Sequence, residues 1–335
     1  MRKILMIGTG GTIASLKSEE GLRPGLSVNR ILSFIPAVKD IADISTIQAC
    51  NLDSTNITSH NWVQVVSVIR EHYEEYDGVV VLHGTDTLAY SAAALSYMIQ
   101  DSSKPIVLTG SQKPINAEVT DGKTNLYDAI VYAADKASFG VCIVFNGKVI
   151  AGTRARKEMA KSYNAFSSIN YPVLAVIQDG ILLRYINEDK PKKQVKFYLD
   201  MRDSIYVLKL IPGIKPDILP VLFAYYDCII IESFGVGGIP QYILDTFSHE
   251  LDKWNKTGKY VVITTQVVNE GSNMTVYEVG RKVKESYDLI EAYDMTLEAT
   301  IAKMMWIMGQ GIKDYRQVKK EFYRPINKYI VMVKK

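Results

Sequence analysis

The sequence predicts an α/β fold in which parallel strands alternate with helices. Three observations support this: short apolar runs recur along the chain, helical patterns lie between them, and glycine-rich turns follow two of the runs directly. Strands that alternate with helices pair in parallel, because each helix carries the chain back across the sheet. A length of 335 residues suggests two domains better than one.

The first half of the chain contains strand-like runs separated by helical patterns. Strands are expected near residues 3–8, 78–83, 105–110 and 141–146, and helices near 56–76, 87–100 and 123–136. The first of these helices has Thr58 or Ser59 as a candidate N-cap. Its apolar residues recur at the spacing i, i+3, i+4 and i+7, which is typical of one buried helix face: Trp62, Val65, Val66 and Ile69.

A charged stretch with a proline, residues 187–196, separates these elements from a second α/β series. In that series, strands are expected near 205–211, 228–233 and 260–265, and helices near 240–256, 275–286 and 296–309. We therefore predict an N-terminal domain over 1–187, a linker over 188–204 and a C-terminal domain over 205–335.

Composition excludes several classes of protein. The net charge of +3 is too small to indicate nucleic acid as the main partner. The three cysteines, Cys50, Cys142 and Cys228, are widely spaced and predict reduced thiols rather than disulfides or a metal site. The apolar run at the N-terminus is shorter than a secretory signal requires, and segment 218–231 is too short to span a membrane. These features predict a cytoplasmic protein that has no membrane partner.

Two turns carry the candidate catalytic residues. Residues 8–12 (Gly-Thr-Gly-Gly-Thr) follow the first strand, and residues 83–87 (His-Gly-Thr-Asp-Thr) follow the second. Ligands of parallel sheets bind beyond the carboxyl ends of the strands, so Thr12, Thr85 and Asp86 are expected at one edge of one sheet. Backbone amides at Gly11 and Gly84 would face an oxyanion there.

Each feature taken alone has a simpler interpretation. A glycine-rich turn after a strand also cradles phosphates, although the Gly-Lys-Ser/Thr ending of a nucleotide-binding loop is missing here. Asp86 alone is typical of a helix N-cap, and His83 of a packed strand residue. Lys157 alone is typical of a solvated charge, and Ser54 of an ordinary loop hydroxyl. The catalytic interpretation depends on these residues acting together.

Taken together, the two turns resemble the signature blocks of the L-asparaginase family. Further segments match in the same order: 53–55 (Asp-Ser-Thr), 107–111 (Val-Leu-Thr-Gly-Ser), 121–122, 125–126, 234–237 (Phe-Gly-Val-Gly) and 294–300. The matches span most of the chain. Without a signal segment, the sequence is most similar to the cytosolic, type I branch.

This resemblance implies hydrolysis of L-asparagine to L-aspartate and ammonia, with no metal or organic cofactor. It also implies a larger N-terminal parallel-sheet domain, a smaller flavodoxin-like C-terminal α/β domain, and a homodimer or dimer of dimers. The implied nucleophile is Thr12, and Thr85, Asp86 and Lys157 would handle the protons.

The resemblance implies substrate-binding roles as well. Ser54 would hold the α-carboxylate of the substrate, Asp86 its α-ammonium group, and Ser111 would approach its side-chain amide. The implied binding residues are Gly11, Asp53, Ser54, Thr55, Gly84 and Ser111.

The sequence departs from the family pattern at two positions. Leu22 stands where members usually carry a tyrosine that is hydrogen-bonded to the nucleophile, and Tyr163 is a candidate replacement. Gly238 stands where an asparagine often follows Gly-Val-Gly. Two alternatives therefore stay open: the amidase subunit of a tRNA-dependent amidotransferase, which usually carries an extra N-terminal domain, and a catalytically silent module that binds amino acids.

Overall fold

The computed structural model describes residues 1–18, 21–254, 257, 259–276, 278–287 and 289–328. The chain divides into two units, Met1–Leu199 and Asp200–Lys335. The larger first unit is built on a mainly parallel sheet, and the smaller second unit has a parallel sheet of its own. The predicted fold class is therefore confirmed.

The first unit alternates strands and helices over most of its length. Its strands are β1 (Arg2–Gly10), β2 (Ser15–Ser18), β3 (Gly21–Pro24), β4 (Ala42–Leu52), β5 (Gly78–Leu82), β6 (Ile99–Gln100), β7 (Pro105–Thr109), β8 (Gly140–Phe145), β9 (Lys148–Ala151), β10 (Ala155–Lys157), β11 (Phe166–Ser168), β12 (Ala175–Gln178), β13 (Ile181–Leu183) and β14 (Lys196–Phe197). Its helices are α1 (Val28–Leu32), α2 (Ser59–His72), α3 (Leu88–Met98) and α4 (Gly122–Ala134).

The order of strands in the main sheet places a crevice between β1 and β5. The order is β13-β12-β9-β8-β7-β5-β1-β4. After β1 the chain moves outward to β4, whereas after β5 it moves the other way to β7. Neighbouring parallel strands whose connections leave in opposite directions form a switch point, and ligands bind at the carboxyl ends of such strands. The turns after β1 and β5 lie at that point.

The far half of this sheet is antiparallel, which the sequence analysis did not predict. β8, β9, β12 and β13 pair antiparallel in that order. Tight turns explain the reversals: Asn146-Gly147 joins β8 to β9, and Asp179-Gly180 joins β12 to β13. All four residues have positive φ, from 49° to 72°, which is the geometry of two-residue hairpin turns with Asn-Gly or Asp-Gly.

The core of the first unit is divided by the sheet. On one face, Ile4, Met6, Val80, Leu82 and Val107 pack with the buried side of α4 in one cluster. The residues of β5 and β7 are buried along their whole length, because helices cover both faces. Burial on both faces holds the ends of these strands, and therefore the turns after them, in fixed positions.

The second unit is a parallel sheet with helices. Its strands are β15 (Ile205–Lys209), β16 (Cys228–Ser233), β17 (Tyr260–Thr265) and β18 (Ile290–Glu291), paired in that order. Its helices are α5 (Ile218–Tyr225), α6 (Gln241–Trp254), α7 (Glu278–Tyr287), α8 (Leu297–Gly309) and α9 (Tyr315–Tyr323). The core joins β15, β16 and β17 to α5 and α6. Residues 255, 256 and 277, which the helix predictions included, lie outside the described residues.

The segment predicted as a linker, 188–204, contains the division between the units. Within it, β14 pairs with β6 of the first unit through Lys196–Gln100 and Phe197–Ile99. Across the described part of the chain, the helices are too short or too polar to cross a bilayer.

Candidate active site

The site is built where four neighbouring parallel strands end. Gly8 of β1 pairs with Leu82 of β5, and Leu82 pairs in turn with Thr109 of β7. On the other side, Gly10 pairs with Leu52 at the end of β4. The segments that follow these strands therefore lie side by side at one edge of the sheet, as the sequence analysis expected for the first two.

Two glycines allow the turns to touch. A Cβ on Gly11 would lie 2.3 Å from the backbone nitrogen of Gly84, and a Cβ on Gly84 would lie 2.5 Å from Oγ of Ser54. Gly11 also has φ of +80° and ψ of −178°, a conformation that essentially only glycine adopts. Side chains at these two positions would force the three segments apart.

The contact between Gly11 and Gly84 determines where the backbones of the two candidate threonines lie. Thr12 follows Gly11 directly, opens a short 3-10 helix (Thr12–Ala14) and is half-buried. Thr85 follows Gly84 and is 4% exposed. The backbones of the two residues thus leave from neighbouring points, and Ser15 Oγ fastens the first turn by donating to the carbonyl of Gly11 at 3.0 Å.

The backbone N–H of Gly11 is one of the groups that the sequence analysis expected to face an oxyanion. The backbone N–H of Gly11 donates to the carbonyl of Leu52 at 2.9 Å, as part of the strand pairing that positions the turn. This N–H is therefore engaged within the fold, and its approach to an oxyanion stays a prediction. The role that the structure gives Gly11 is close packing against Gly84.

Lys157 joins the second turn through two short contacts. Its Nζ donates to Oδ1 of Asp86 at 2.6 Å and to Oγ1 of Thr85 at 2.8 Å. The lysine side chain is 16% exposed, whereas that of Asp86 is 55% exposed. The ammonium group is thus held between a buried hydroxyl and a carboxylate that opens to solvent.

The lysine reaches this position from a small hairpin. β10 and β11 pair antiparallel, with Lys157 opposite Phe166, and both strands begin with a buried residue, Ala155 and Phe166. Burial of the hairpin fixes the lysine backbone. Lys157 lies about seventy residues after Thr85 and Asp86 in the chain, and the structure brings the three residues together, as the family resemblance implies.

Ser54 lies behind the second turn. Its hydroxyl, 3% exposed as a residue, accepts from the backbone N–H of Asp86 at 3.3 Å, and its carbonyl accepts from Oγ1 of Thr87 at 2.8 Å. Asp53 caps the short 3-10 helix over 54–56 by accepting from the N–H and the hydroxyl of Thr55 at 2.9 and 2.8 Å. Asp53 and Thr55 therefore shape the segment that presents Ser54.

Ser111 lies in the loop that follows β7. The residue is 0% exposed, and its Oγ donates to the carbonyl of Lys113 within the same loop. This hydrogen bond stabilises the loop after β7. The expected approach of the Ser111 hydroxyl to a substrate amide stays a prediction.

Gln112, next to Ser111, is the contact that the sequence analysis missed. Its Oε1 accepts from Oγ1 of Thr85 at 3.2 Å, and its Nε2 donates to the carbonyls of Ala160 and Ser162 at 3.2 and 3.1 Å. Gln112 thereby ties the Thr85 hydroxyl to the loop that follows Lys157. The one sequence signal that points to Gln112 is that it directly follows the matched segment 107–111.

His83 lies beneath the second turn, not in the open edge. It is 3% exposed, and burial lowers the pKa of its imidazole to about 4, against the opposing effect of a hydrogen bond with Gly84. The ring is therefore neutral near pH 7. The interpretation of His83 as a packed residue rather than a base agrees with this placement.

The two departures from the family pattern lie in different units. Leu22 belongs to β3, opposite Lys17 of β2, and its side chain lies outside the described part of the chain. Tyr163 is half-buried in the loop between β10 and β11, next to Ser162, which accepts from Gln112. Gly238, in the second unit, closes a tight loop by exchanging two backbone hydrogen bonds with Phe234.

Over the described ranges, no three or more His, Cys, Asp or Glu side chains are grouped so that they could hold a metal ion.

Comparison with known proteins identifies both units. The family model of the N-terminal asparaginase domain matches residues 3–189, and that of the glutaminase/asparaginase C-terminal domain matches residues 204–322. The L-asparaginase of Thermococcus kodakarensis is 39% identical over 332 residues, which is 97% of this chain and 98% of that protein. Its solved structure superposes with a TM-score of 0.90 at 37% identity, covering 99% of this chain and 100% of that one.

Other relatives are more distant. L-asparaginase 1 of Escherichia coli K12 is 33% identical over 93% of each chain. One component of the glutamyl-tRNA(Gln) amidotransferase of Metallosphaera sedula is 32% identical over 95% of this chain but only 74% of its own length. Matching models over both units and full-length relatives above 30% identity lead to one conclusion: this chain belongs to the asparaginase family.

Proposed function

We propose that this protein is an L-asparaginase that hydrolyses L-asparagine to L-aspartate and ammonia with Thr12 as the nucleophile. The observation that carries the proposal is the contact of Lys157 with Thr85 and Asp86, beside the point where Gly11 touches Gly84. This arrangement supplies two hydroxyls, an ammonium group and a carboxylate at one edge of a sheet. Such a set suits acyl transfer through a hydroxyl nucleophile.

In the first step, Oγ1 of Thr12 attacks the carbon of the side-chain amide. The C–N bond breaks and ammonia leaves. The third proton of this ammonia comes from the Thr12 hydroxyl and is transferred through Thr85 and Lys157. In the second step, water attacks the aspartyl ester, L-aspartate leaves, and the same residues return a proton to Thr12. Lys157 suits this task because its Nζ already shares a short hydrogen bond with the Thr85 hydroxyl.

Substrate recognition would use the half of the site nearest β4. The exposed carboxylate of Asp86 pairs with the α-ammonium group of the substrate. Ser54 accepts from the N–H of Asp86, so its own proton remains to be donated to the α-carboxylate. Asp53 and Thr55 hold the Ser54 segment, and Gly84 lets it approach.

The alternatives are less well supported. The L-asparaginase of Thermococcus kodakarensis is 39% identical to this chain, whereas the amidotransferase component of Metallosphaera sedula is 32% identical. A silent binding module does not account for the pairing of Lys157 with Thr85, which binding of an amino acid does not require. The assignment as a hydrolase of linear amides is therefore favoured.

We further propose a cytoplasmic location and a homodimer or dimer of dimers. The location rests on the three cysteines, Cys50, Cys142 and Cys228, which are thiols rather than disulfides, and of which the last two are buried. The oligomer rests on the family resemblance. The domain ranges 1–187 and 205–335, with a linker over 188–204, remain part of the same proposal.

Release of ammonia from L-asparagine tests the function directly. We expect turnover by the purified wild-type chain and loss of turnover in Thr12→Ala. Thr46→Ala is the matched control, because Thr46 lies in the middle of β4, away from the strand ends, and bonds to Asn29. An inactive wild type would refute the function. A fully active Thr12→Ala variant would refute the role of Thr12.

A further inference from the structure

A buried chain of hydrogen bonds runs beneath the second turn. Nδ1 of His83 lies 2.7 Å from the carbonyl oxygen of Gly84, and Nε2 of His83 lies 2.9 Å from Oγ of Ser91. Nε1 of Trp62 donates to the same Oγ at 2.8 Å. Ser91 is 1% and Trp62 7% exposed, so this chain links the interiors of α2 and α3 to the turn.

The chemistry of these groups allows one direction for each hydrogen bond. A carbonyl oxygen only accepts, so Nδ1 of His83 carries the ring proton and donates to Gly84. Nε2 is then an acceptor, and the hydroxyl of Ser91 donates a hydrogen bond to it. The indole N–H of Trp62 only donates, so it occupies a lone pair of Ser91 Oγ. Burial keeps the ring neutral by lowering the pKa of His83 to about 4.

This direction determines how the Gly84–Thr85 peptide is oriented. A trans peptide is planar, and its C=O and N–H point in opposite directions. Because the carbonyl points at the buried imidazole, the N–H of Thr85 points away from it, to the side of the turn that carries Thr85 and Asp86. A donated hydrogen bond also polarises the peptide and makes its N–H a stronger donor.

The turn needs such support because residue 84 must be glycine. A Cβ there would lie 2.5 Å from Ser54 Oγ and 2.6 Å from Ser54 Cβ, so close packing excludes any side chain. Glycine is also the residue whose backbone dihedral angles are least restricted. The packing that brings the turns together therefore leaves the following peptide free to rotate unless something holds its carbonyl.

We propose that His83, with Ser91 and Trp62 behind it, is a positioning residue that locks the Gly84–Thr85 peptide so that the Thr85 N–H faces the oxyanion of the reaction. This inference rests on the proposed function and deepens it. It also supplies a donor in place of the N–H of Gly11, which Leu52 engages. Since the oxyanion forms only during the reaction, loss of the lock lowers kcat much more than it changes KM.

Two variants of His83 separate the lock from simple packing. The side-chain amide of Asn sits at the place of Nδ1, so His83→Asn keeps a donor for the Gly84 carbonyl. The amide of Gln sits at the place of Nε2, so His83→Gln keeps the link to Ser91 and loses that donor. We expect His83→Gln to lower kcat about 10- to 100-fold with KM changed less than about threefold. We expect His83→Asn to retain kcat within about fivefold.

The two kinetic results have distinct meanings. Equal losses in both folded variants, or a His83→Gln variant with the kcat of the wild type, would overturn the lock. If the wild type itself releases no ammonia from L-asparagine, the proposed function fails rather than this inference.

A measurement on the wild-type protein covers the case in which a variant does not fold. The chain has four histidines, so labelling histidine with ¹⁵N leaves four rings, each with two nitrogen signals, to assign. We expect one ring with a protonated Nδ1 and an unprotonated Nε2 that stays unchanged between about pH 7 and pH 5. A His83 ring that carries its proton on Nε2, or that titrates in this range, would overturn the proposal without any assay of activity.

Discussion

Replacing Gly11 with alanine tests the contact on which the whole site depends. The structure puts the backbone of Gly11 against that of Gly84, and this contact brings Thr12 next to the second turn. A single methyl group at position 11 is therefore expected to separate the two turns.

The expected cost has two parts. A φ of +80° with ψ of −178° is nearly exclusive to glycine, and an L residue there costs about 1–3 kcal/mol. The new Cβ would also lie 2.3 Å from N and 2.4 Å from Cα of Gly84, backbone atoms that cannot rotate away, which adds about 1–3 kcal/mol. We expect Gly11→Ala to lower the free energy of unfolding by about 2–6 kcal/mol.

Gly140→Ala is the matched control. Gly140 also has positive φ, +72°, but a Cβ there would have no neighbour within 4 Å, so only the conformational cost of about 1–2 kcal/mol applies. Urea unfolding and release of ammonia from L-asparagine are measured for both variants. We expect Gly11→Ala to be the less stable and to lose turnover, and Gly140→Ala to keep it. Equal stability of the two, with full turnover in both, would refute the close approach.

Two further predictions concern charged groups. Lys157→Met keeps the length of the side chain and removes its charge, so we expect turnover to fall about 100-fold or more. We expect the melting temperature to change little, because the carboxylate of Asp86 is mostly exposed. A folded variant with the wild-type rate would contradict the role of Lys157. Burial raises the pKa of Asp128, in α4, to about 6, so the folded state favours the neutral acid and loses stability as pH rises from the unfolded-state pKa toward that value. Asp128→Asn should therefore raise the free energy of unfolding by up to about 3 kcal/mol at pH 7.5, with a gain that shrinks toward pH 4 in urea titrations. A gain that does not depend on pH would contradict this reading of Asp128.

The parallel half of the fold was predictable because its strands are buried on both faces. Such strands, like β5 and β7, consist of continuous apolar residues and stand out in the sequence. β4 (Ala42–Leu52) does not, because it lies at the sheet edge and mixes exposed with half-buried positions. The antiparallel half was missed, although Asn146-Gly147 and Asp179-Gly180 are typical hairpin turns and were a usable signal.

The proximity of the main site residues could be predicted, whereas their exact contacts could not. Parallel strands bring their carboxyl ends to one edge, so the turns with Thr12 and Thr85 had to lie close together. The directions of single polar groups beyond the strand ends depend on local pairing. The N–H of Gly11 donates to a carbonyl of the neighbouring strand, and the hydroxyl of Ser111 donates to a carbonyl of its own loop.

The contacts of the residues that hold the site in place, His83 and Gln112, could not be predicted from sequence patterns either. His83 meets Ser91 and Trp62 only because α2 and α3 pack beside β5, and no spacing along the chain encodes that meeting. Gln112 likewise contacts Thr85 through a loop whose path depends on tertiary packing. Both residues support the site from behind, through contacts that exist only in the folded structure.

Acid quenching of the enzyme during turnover of L-asparagine tests the central claim most directly. The account predicts that peptide mapping by mass spectrometry finds one aspartyl group, bound as an ester, on the peptide that contains Thr12. The same ester on the peptide that contains Thr85 would contradict the account, because the residue that attacks the substrate would then belong to the second turn and not to the first.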